Sequence, residues 1–374
     1  MLVVADSAIP FLQGVLEPFA DVRYMSGAEI RSADVKDADA LFVRTRTRVD
    51  SSLLEGSRVK FVATATIGTD HLDKAYLDSK RIFWTNAPGC NAASVAQYVA
   101  SALLSLSQKF AEPLSEKTLG IIGVGHVGRE VLRVAKALNM DVLLCDPPRA
   151  EKEGSDNFVS EEEFLSNSDI VTLHVPLERT GKYPTYHLAG KTFFEKMRPD
   201  AWLLNASRGE VADGNALKAA LKDKRLNAAV LDTWENEPHI DPELLRLVDF
   251  GTPHIAGYSR DGKANATTQI VHAFARFFAV GPLQDFRAAL SSDLPVLDAR
   301  EIYGAEALAR KLVLGTYDIS RDSESLKQNI ADFEKLRNSY PVRREPVAFR
   351  VRLGKAQFAF RHMLECLGFT IFPD

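Results

Sequence analysis

This chain is short of cysteine, of long apolar runs and of any strong excess of charge. Its three cysteines, Cys90, Cys145 and Cys366, are far apart and form neither a CxxC pair nor a metal-ligand spacing. That pattern suits a reducing compartment rather than a disulfide framework, so the thiols read as buried or inert and no metal is expected. The most apolar internal stretch, VASALLSLS, is punctuated by serines and falls well short of the ~20 residues a spanning helix needs. MLVVADSAIP has no basic region and reaches Asp6 after a brief apolar run, so it reads as a first strand and not as a signal peptide. A cytoplasmic protein is expected, with no membrane partner. A net charge of -4 provides no basic footprint for nucleic acid, so any anion bound is small and held locally.

What the chain does contain is an ordinary globular mixture, 46% hydrophobic and 26% charged over 374 residues, enough for two or three domains. LVVAD, ALFVR and FVATAT are short β-rich runs, each followed by polar or helix-forming residues, which predicts parallel strands joined by crossover helices. NAASVAQYVASALLSLSQKF repeats apolar residues at Val95, Val99, Leu103 and Leu106, predicting a long helix with Asn91 near its cap, able to bridge two domains.

Next, TLGIIGVGHVGREVLRVAKALNMDVLLCDPP runs strand, glycine turn, amphipathic helix and strand within one βαβ unit. Gly123 permits the tight turn, Gly125 lets backbone N–H groups approach a pyrophosphate, and Gly128 allows helix and strand to pack closely. The helix start at His126 and Val127 adds the partial positive charge that attracts an anion. Asp146 closes the second strand, where a carboxylate accepts hydrogen bonds from a ribose and repels a ribose phosphate. NAD is therefore expected over NADP, although Arg149 stands three residues further on.

DIVTLHVPL, AWLLNASRG and NAAVLDTWENEP each run from an apolar strand to a polar tip, where ligands gather in open α/β sheets. An isolated histidine among small residues, such as His254 in TPHIAGYS, is more often a core residue than a proton carrier. Here it falls, like Arg208, Asp232 and Glu237, at or just after a strand tip.

With ATATIGTDHLD, IIGVGHVGREV, HVPL, LLNASRGEVADGNAL, LDTWENEP and TPHIAGYS in this order, residues 40–285 resemble the NAD-dependent D-2-hydroxyacid dehydrogenases. The resemblance implies a Rossmann-type doubly wound parallel sheet for the nucleotide domain and a flavodoxin-like discontinuous substrate domain; the region beyond residue 285, which the common family pattern does not include, reads as a small C-terminal α/β module. The expected boundaries are 1–92 and 258–285 for the substrate domain, 93–257 for the NAD-binding domain and 286–374 for the module. It implies a catalytic trio of Arg208, Glu237 and His254: the histidine moves the hydroxyl proton, the glutamate fixes its tautomer and favours the imidazolium, and the arginine holds the substrate carboxylate. It adds Asp232 near the nicotinamide, backbone contacts at Val175, Ala206, Ser207 and Arg208, and Gly257. Val175 stands where threonine is expected, and Gln97 where many members carry glutamate.

CDPPRA, PGCNAASVAQYV and HIAGYSRDGKA narrow the resemblance to members that act on a phosphorylated sugar acid. FVRTRTRVD then offers Arg44, Arg46 and Arg48 on one strand face at period two. Arg44 and Arg46 are expected to hold the phosphate, with Thr45, Thr66 and Tyr258 contacting the sugar acid. A solvated charged face remains the alternative. Beyond residue 285, AEALARKLVLGTYDIS and ESLKQNIADFEKLRNSY predict two helices, VAFRVRL a strand, KAQFAFRHMLECLG a helix and FTIF a strand, without a catalytic motif. Its apolar content points to homodimerisation. Another 2-hydroxyacid dehydrogenase, acting on 3-phosphoglycerate or an unphosphorylated acid, and an NAD-sensing binding protein remain open as alternatives.

Overall fold

The computed structural model describes residues 1–291 and 296–372. They form two compact units, and the chain passes from the first to the second after Asn91 and back after Tyr258. Strands β1 (Leu2–Asp6), β2 (Asp21–Met25), β3 (Ala40–Val43), β4 (Phe61–Thr64) and β5 (Phe83–Thr85) make a parallel sheet in the first unit, ordered β2-β1-β3-β4-β5. This is the flavodoxin-like order. Every residue of β3 and β4 is buried, as expected of parallel strands covered on both faces. The returning helix Arg260–Phe277 covers one face, with the Phe274 ring 5.5 Å from Phe42 and 5.8 Å from Phe61.

The strand pattern predicted for FVRTRTRVD breaks at its tip. β3 ends at Val43 and the chain turns, with the Thr47 N–H donating to Arg44 O and the buried Thr47 hydroxyl to Gly27 O. Arg44 is half-buried, Thr45 and Arg46 are exposed, and Arg48 pairs with Asp50. The three arginines therefore share no strand face, because β3 ends before Arg44 and the chain turns through the buried Thr47.

In the second unit, β6 (Thr118–Ile122), β7 (Asp141–Cys145), β8 (Ile170–Leu173), β9 (Ala201–Asn205), β10 (Leu226–Leu231) and β11 (Phe250–Gly251) form a parallel sheet ordered β11-β10-β9-β8-β6-β7. The strand order reverses between β6 and β8, and ligands of open α/β sheets bind at the carboxyl ends beside such a reversal. The C-terminal segment adds β12 (Val296–Asp298), β13 (Arg350–Arg352) and β14 (Thr370–Phe372), parallel in that order.

The C-terminal helices are more broken than their periodicity predicts. One runs Ala305–Thr316 and a second Ile319–Gln328, after which Asn329 leaves helical geometry at φ -134° and ψ 52°. A further turn of helix, Phe333–Asn338, follows, so ESLKQNIADFEKLRNSY is not one helix. KAQFAFRHMLECLG likewise divides into a 3-10 turn, Gln357–Phe360, and the helix Arg361–Cys366.

This segment packs into the second unit. Leu308, Leu312, Val313, Val351 and Leu364 share a core with Val99, Leu103 and Leu106 of the helix Ala92–Phe110. Most of that helix's 19 residues are consequently buried, not merely one face. Cys90 and Cys145 are buried, whereas Cys366 is partly exposed. Among the described residues, no helix is long and apolar enough to cross a membrane and no group of three His, Cys, Asp or Glu could hold a metal ion.

Candidate active site

The turn after β6 has the shape a dinucleotide needs. Gly123 sits at φ +85°, and a Cβ there would meet His174 O at 2.6 Å. A Cβ on Gly128 would meet Gly123 O at 2.1 Å, so the helix His126–Ala137 can lie against β6 only without a side chain at that position. A Cβ on Gly125 would meet nothing within 4 Å. Two glycines are thus required by packing, while the third faces open space at a helix N-terminus, where unpaired N–H groups attract an anion. Val175 lies beside the same turn, its Cγ1 2.8 Å from the position a Gly123 side chain would take.

Asp146 accepts from Val124 N at 2.8 Å and from Arg149 N at 3.1 Å, which holds its carboxylate at the tip of β7. The Arg149 guanidinium is committed elsewhere: it grips Glu153 with two hydrogen bonds, 2.9 and 2.6 Å, and donates to Val124 O at 2.7 Å. Three of the five guanidinium N–H donors of Arg149 are thus turned to protein groups, while the Asp146 carboxylate at the strand tip suits an unphosphorylated ribose and repels a ribose phosphate.

At the end of β9, Asn205 folds the next loop over itself. Its Oδ1 accepts from Ser207 N and Oγ at 3.0 and 2.7 Å, and its Nδ2 donates to Arg208 O at 2.9 Å. A Cβ on Gly209 would come within 2.0 Å of the Trp234 backbone. The loop bearing Arg208 therefore lies directly on the loop bearing Glu237, an approach only glycine allows.

His254 Nδ1 lies 2.8 Å from Glu237 Oε2, while Glu237 Oε1 accepts from Trp234 N at 2.9 Å. Burial pushes the Glu237 pKa up. The His254 hydrogen bond and charge, the Trp234 N–H and Arg337 together outweigh it and hold the carboxyl below its usual range. An ionised Glu237 accepts a hydrogen bond from Nδ1–H, which keeps that proton on Nδ1 and leaves Nε2 as the ring nitrogen able to accept one.

Asp232 builds the loop that presents this imidazole. It is 1% exposed; Oδ1 accepts from Thr252 Oγ1 and Ile255 N, both at 2.7 Å, and Oδ2 from Ala256 N at 2.8 Å. His254 itself adopts φ 56°, left-handed backbone that costs a non-glycine residue of order 1 kcal/mol or more. The Asp232 carboxylate and the His254 N–H, bonded to Asp232 O at 2.8 Å, hold that conformation. Burial raises the pKa of Asp232, partly countered by His254 and these hydrogen bonds.

The sequence reading missed the supports beneath this loop. Tyr98 meets Thr252 Oγ1 at 2.8 Å, and Trp234 Nε1 donates to Thr252 O at 2.9 Å. Arg343, 5% exposed and 4.3 Å from the Tyr317 ring, donates to Ser94 Oγ and to the carbonyls of Ile255 and Ala256. Arg337 Nη1 lies 3.8 Å from Glu237 Oε2. Gln97, in the position where glutamate was expected, donates to Thr316 Oγ1 and Arg344 O and so ties the long helix to the C-terminal segment. For Arg343 the local signal was a pair of arginines in YPVRREP, charge placed between prolines with no helical period.

Of the remaining expected contacts, Gly257 and Tyr258 continue the His254 loop, with Tyr258 N bonded to Ile255 O at 2.8 Å. In the first unit Arg44 donates to Ala8 O, and the Thr66 hydroxyl to Gly68 O at 2.9 Å.

A nucleotide-binding turn and an imidazole backed by a carboxylate, at the carboxyl edge of one parallel sheet, define a dinucleotide-dependent dehydrogenase. Residues 91–256 match the family model described as D-isomer specific 2-hydroxyacid dehydrogenase, NAD binding domain, and residues 292–368 match a domain of unknown function. The chain is 48% identical to an erythronate-4-phosphate dehydrogenase of Bacteroides fragilis, over 95% of this chain and 100% of that one. It is 42% identical to a Pseudomonas putida protein of the same name, over 98% and 99%. The crystal structure of the TT0316 protein from Thermus thermophilus superposes with a TM-score of 0.64 at 26% identity, covering 75% of this chain and 97% of that one. This chain belongs to the D-isomer specific 2-hydroxyacid dehydrogenases, and its cofactor is NAD.

Proposed function

We propose that this protein oxidises 4-phospho-D-erythronate to 2-oxo-3-hydroxy-4-phosphobutanoate with NAD, in the synthesis of pyridoxal phosphate, in the cytoplasm and as a homodimer. The observation that carries the chemistry is the 2.8 Å contact between His254 Nδ1 and Glu237 in a loop clamped by Asp232. The names borne by relatives that match nearly the whole chain support the substrate.

NAD supplies the hydride acceptor. Gly123, Gly125, His126, Val127 and Gly128 cradle its pyrophosphate, Asp146 its ribose, and Val175, Ala206, Ser207, Arg208, Asp232 and Gly257 flank the nicotinamide end. Arg208 holds the substrate carboxylate through its planar fork. As the 2-hydroxyl carbon loses hydride, its oxygen would carry an unfavourable positive charge unless the proton left too; His254 Nε2 accepts that proton and returns it in reduction. Arg44, Thr45, Arg46, Thr66 and Tyr258 contact the rest of the acid, the two arginines at its phosphate.

Purified protein mixed with NAD and 4-phosphoerythronate should produce reduced nicotinamide, or cycle a bound cofactor when a 2-oxo acid is added. Bound NAD without turnover of any 2-hydroxy acid would sink this reading in favour of a sensing protein. Exposed apolar side chains in the C-terminal segment, Tyr303, Val342, Val347 and Phe358 among them, support the dimer. Sedimentation of Val347→Glu should show monomer where the parent protein shows dimer.

A further inference from the structure

We propose that Arg337, on the C-terminal segment, is a specificity-determining residue that binds the substrate's phosphate. This rests on the reading above, that the substrate is a phosphorylated 2-hydroxy acid.

The reacting end of such a substrate already has its partners: Arg208 for the carboxylate and His254 for the hydroxyl. The far end brings a second, more highly charged anion, which needs a cation reachable from the imidazole. Arg337 Nη1 lies 3.8 Å from Glu237 Oε2, the same oxygen that meets His254 Nδ1 at 2.8 Å. Imidazole and guanidinium are thus separated by a single carboxylate oxygen.

The donors of Arg337 are poorly used by that neighbour. A separation of 3.8 Å is an ion pair without a hydrogen bond, and Nε is buried with no hydrogen-bond partner. Glu237 is already satisfied by Trp234 N and His254, and Arg337 is the weakest of the groups that hold its carboxyl low. The guanidinium carbon lies 5.6 Å from the Tyr258 ring centroid, and Tyr258 stacks on Tyr340 at 6.4 Å, so the fork is placed by aromatic packing. At 29% side-chain exposure it can still be reached by a solute.

Its position in the chain fits a role in specificity. Arg337 falls outside the NAD-binding family match and inside the second one. The shared dehydrogenase core supplies proton and hydride chemistry, and the added segment brings a planar cation to it.

The test compares kcat/KM of the full-length protein for 4-phosphoerythronate and erythronate, in the parent, Arg337→Ala and Arg337→Lys. In the parent the phosphorylated acid should be preferred. In Arg337→Ala that preference should fall about 10- to 100-fold, the range expected when a hydrogen bond to a charged group is lost. Arg337→Lys, which keeps charge but not the fork, should fall between the two. An equal loss for both acids overturns the proposal, since Arg337 would then act only through Glu237; an unchanged ratio overturns it as well. If Arg337→Ala does not fold, the lysine variant decides alone: a reduced preference supports the proposal and a parental one ends it. A parent protein with no preference for the phosphorylated acid fails at the function itself, an outcome distinct from a parental preference that survives in the variants.

Discussion

The His254 loop of the second unit and the Arg44–Thr47 turn of the first both extend the tip of a parallel strand, yet they are held in different ways. Around His254, a buried carboxylate takes three donors, a second carboxylate takes the ring nitrogen, and a buried arginine binds two loop carbonyls. The arginine turn is anchored at its base by Thr47 and otherwise exposes Thr45 and Arg46. Proton transfer demands a fixed nitrogen, because its rate depends on distance and angle at the reacting atom. Attraction of an anion by a partly solvated cation tolerates movement, so the phosphate contacts proposed for Arg44 and Arg46 need less support than the imidazole. Changes in the first loop should therefore cost rate steeply, and changes in the second should cost binding modestly.

The largest effect is expected from His254→Ala, with kcat reduced about 100- to 10,000-fold. NAD affinity, read by calorimetry, should remain near the parental value because the glycine turn is untouched. Next stands Asp232→Ala, which leaves the imidazole present but strands Ile255 N–H, Ala256 N–H and the Thr252 hydroxyl. Stability to urea should fall by about 3 kcal/mol or more, with a rate loss alongside. Parental rate in that variant would mean the left-handed histidine needs no clamp.

Glu237→Gln should reduce kcat roughly 10- to 100-fold by removing a charged hydrogen bond to the ring. It also carries a pH signature. The Glu237 carboxyl lies below its usual range in the folded protein, so the stability it contributes is present above that range and lost as pH falls through its lowered value. Thermal midpoints measured on acidification should accordingly fall more steeply in the parent than in Glu237→Gln. The smallest effect belongs to Arg46→Ala, an exposed side chain whose loss should change stability by no more than about 0.5 kcal/mol. KM for the phosphorylated acid should rise while kcat holds. A collapse of kcat there would erase the contrast between the two loops.

Much of the site could be read along the chain because its rules are local. Glycines at 123, 125 and 128 follow an apolar strand and open a helix; a Cβ at 123 or 128 would collide with backbone, and one at 125 would meet nothing within 4 Å. The strand tips carrying Arg208, Asp232, Glu237 and His254 follow from apolar runs that end in polar residues. The arginine alternation failed because period two describes a strand only while the strand continues, and β3 ends at Val43, before the first of the arginines. The C-terminal helices broke at Asn329, where local periodicity carries no mark of the stop.

By itself, the order of residues determined the parallel α/β plan, the glycine turn and which strand ends carry Arg208, Asp232, Glu237 and His254, since these depend on backbone sterics and on side chains a few positions apart. Only the tertiary structure decided that Asp232 serves as a clamp, that Arg337 reaches Glu237 from 100 residues downstream and that Arg343 reaches the His254 loop from 87. The two arginine contacts come from packing the C-terminal segment on one buried helix, and no local period encodes which distant cation a folded core will bring to a carboxylate or a carbonyl.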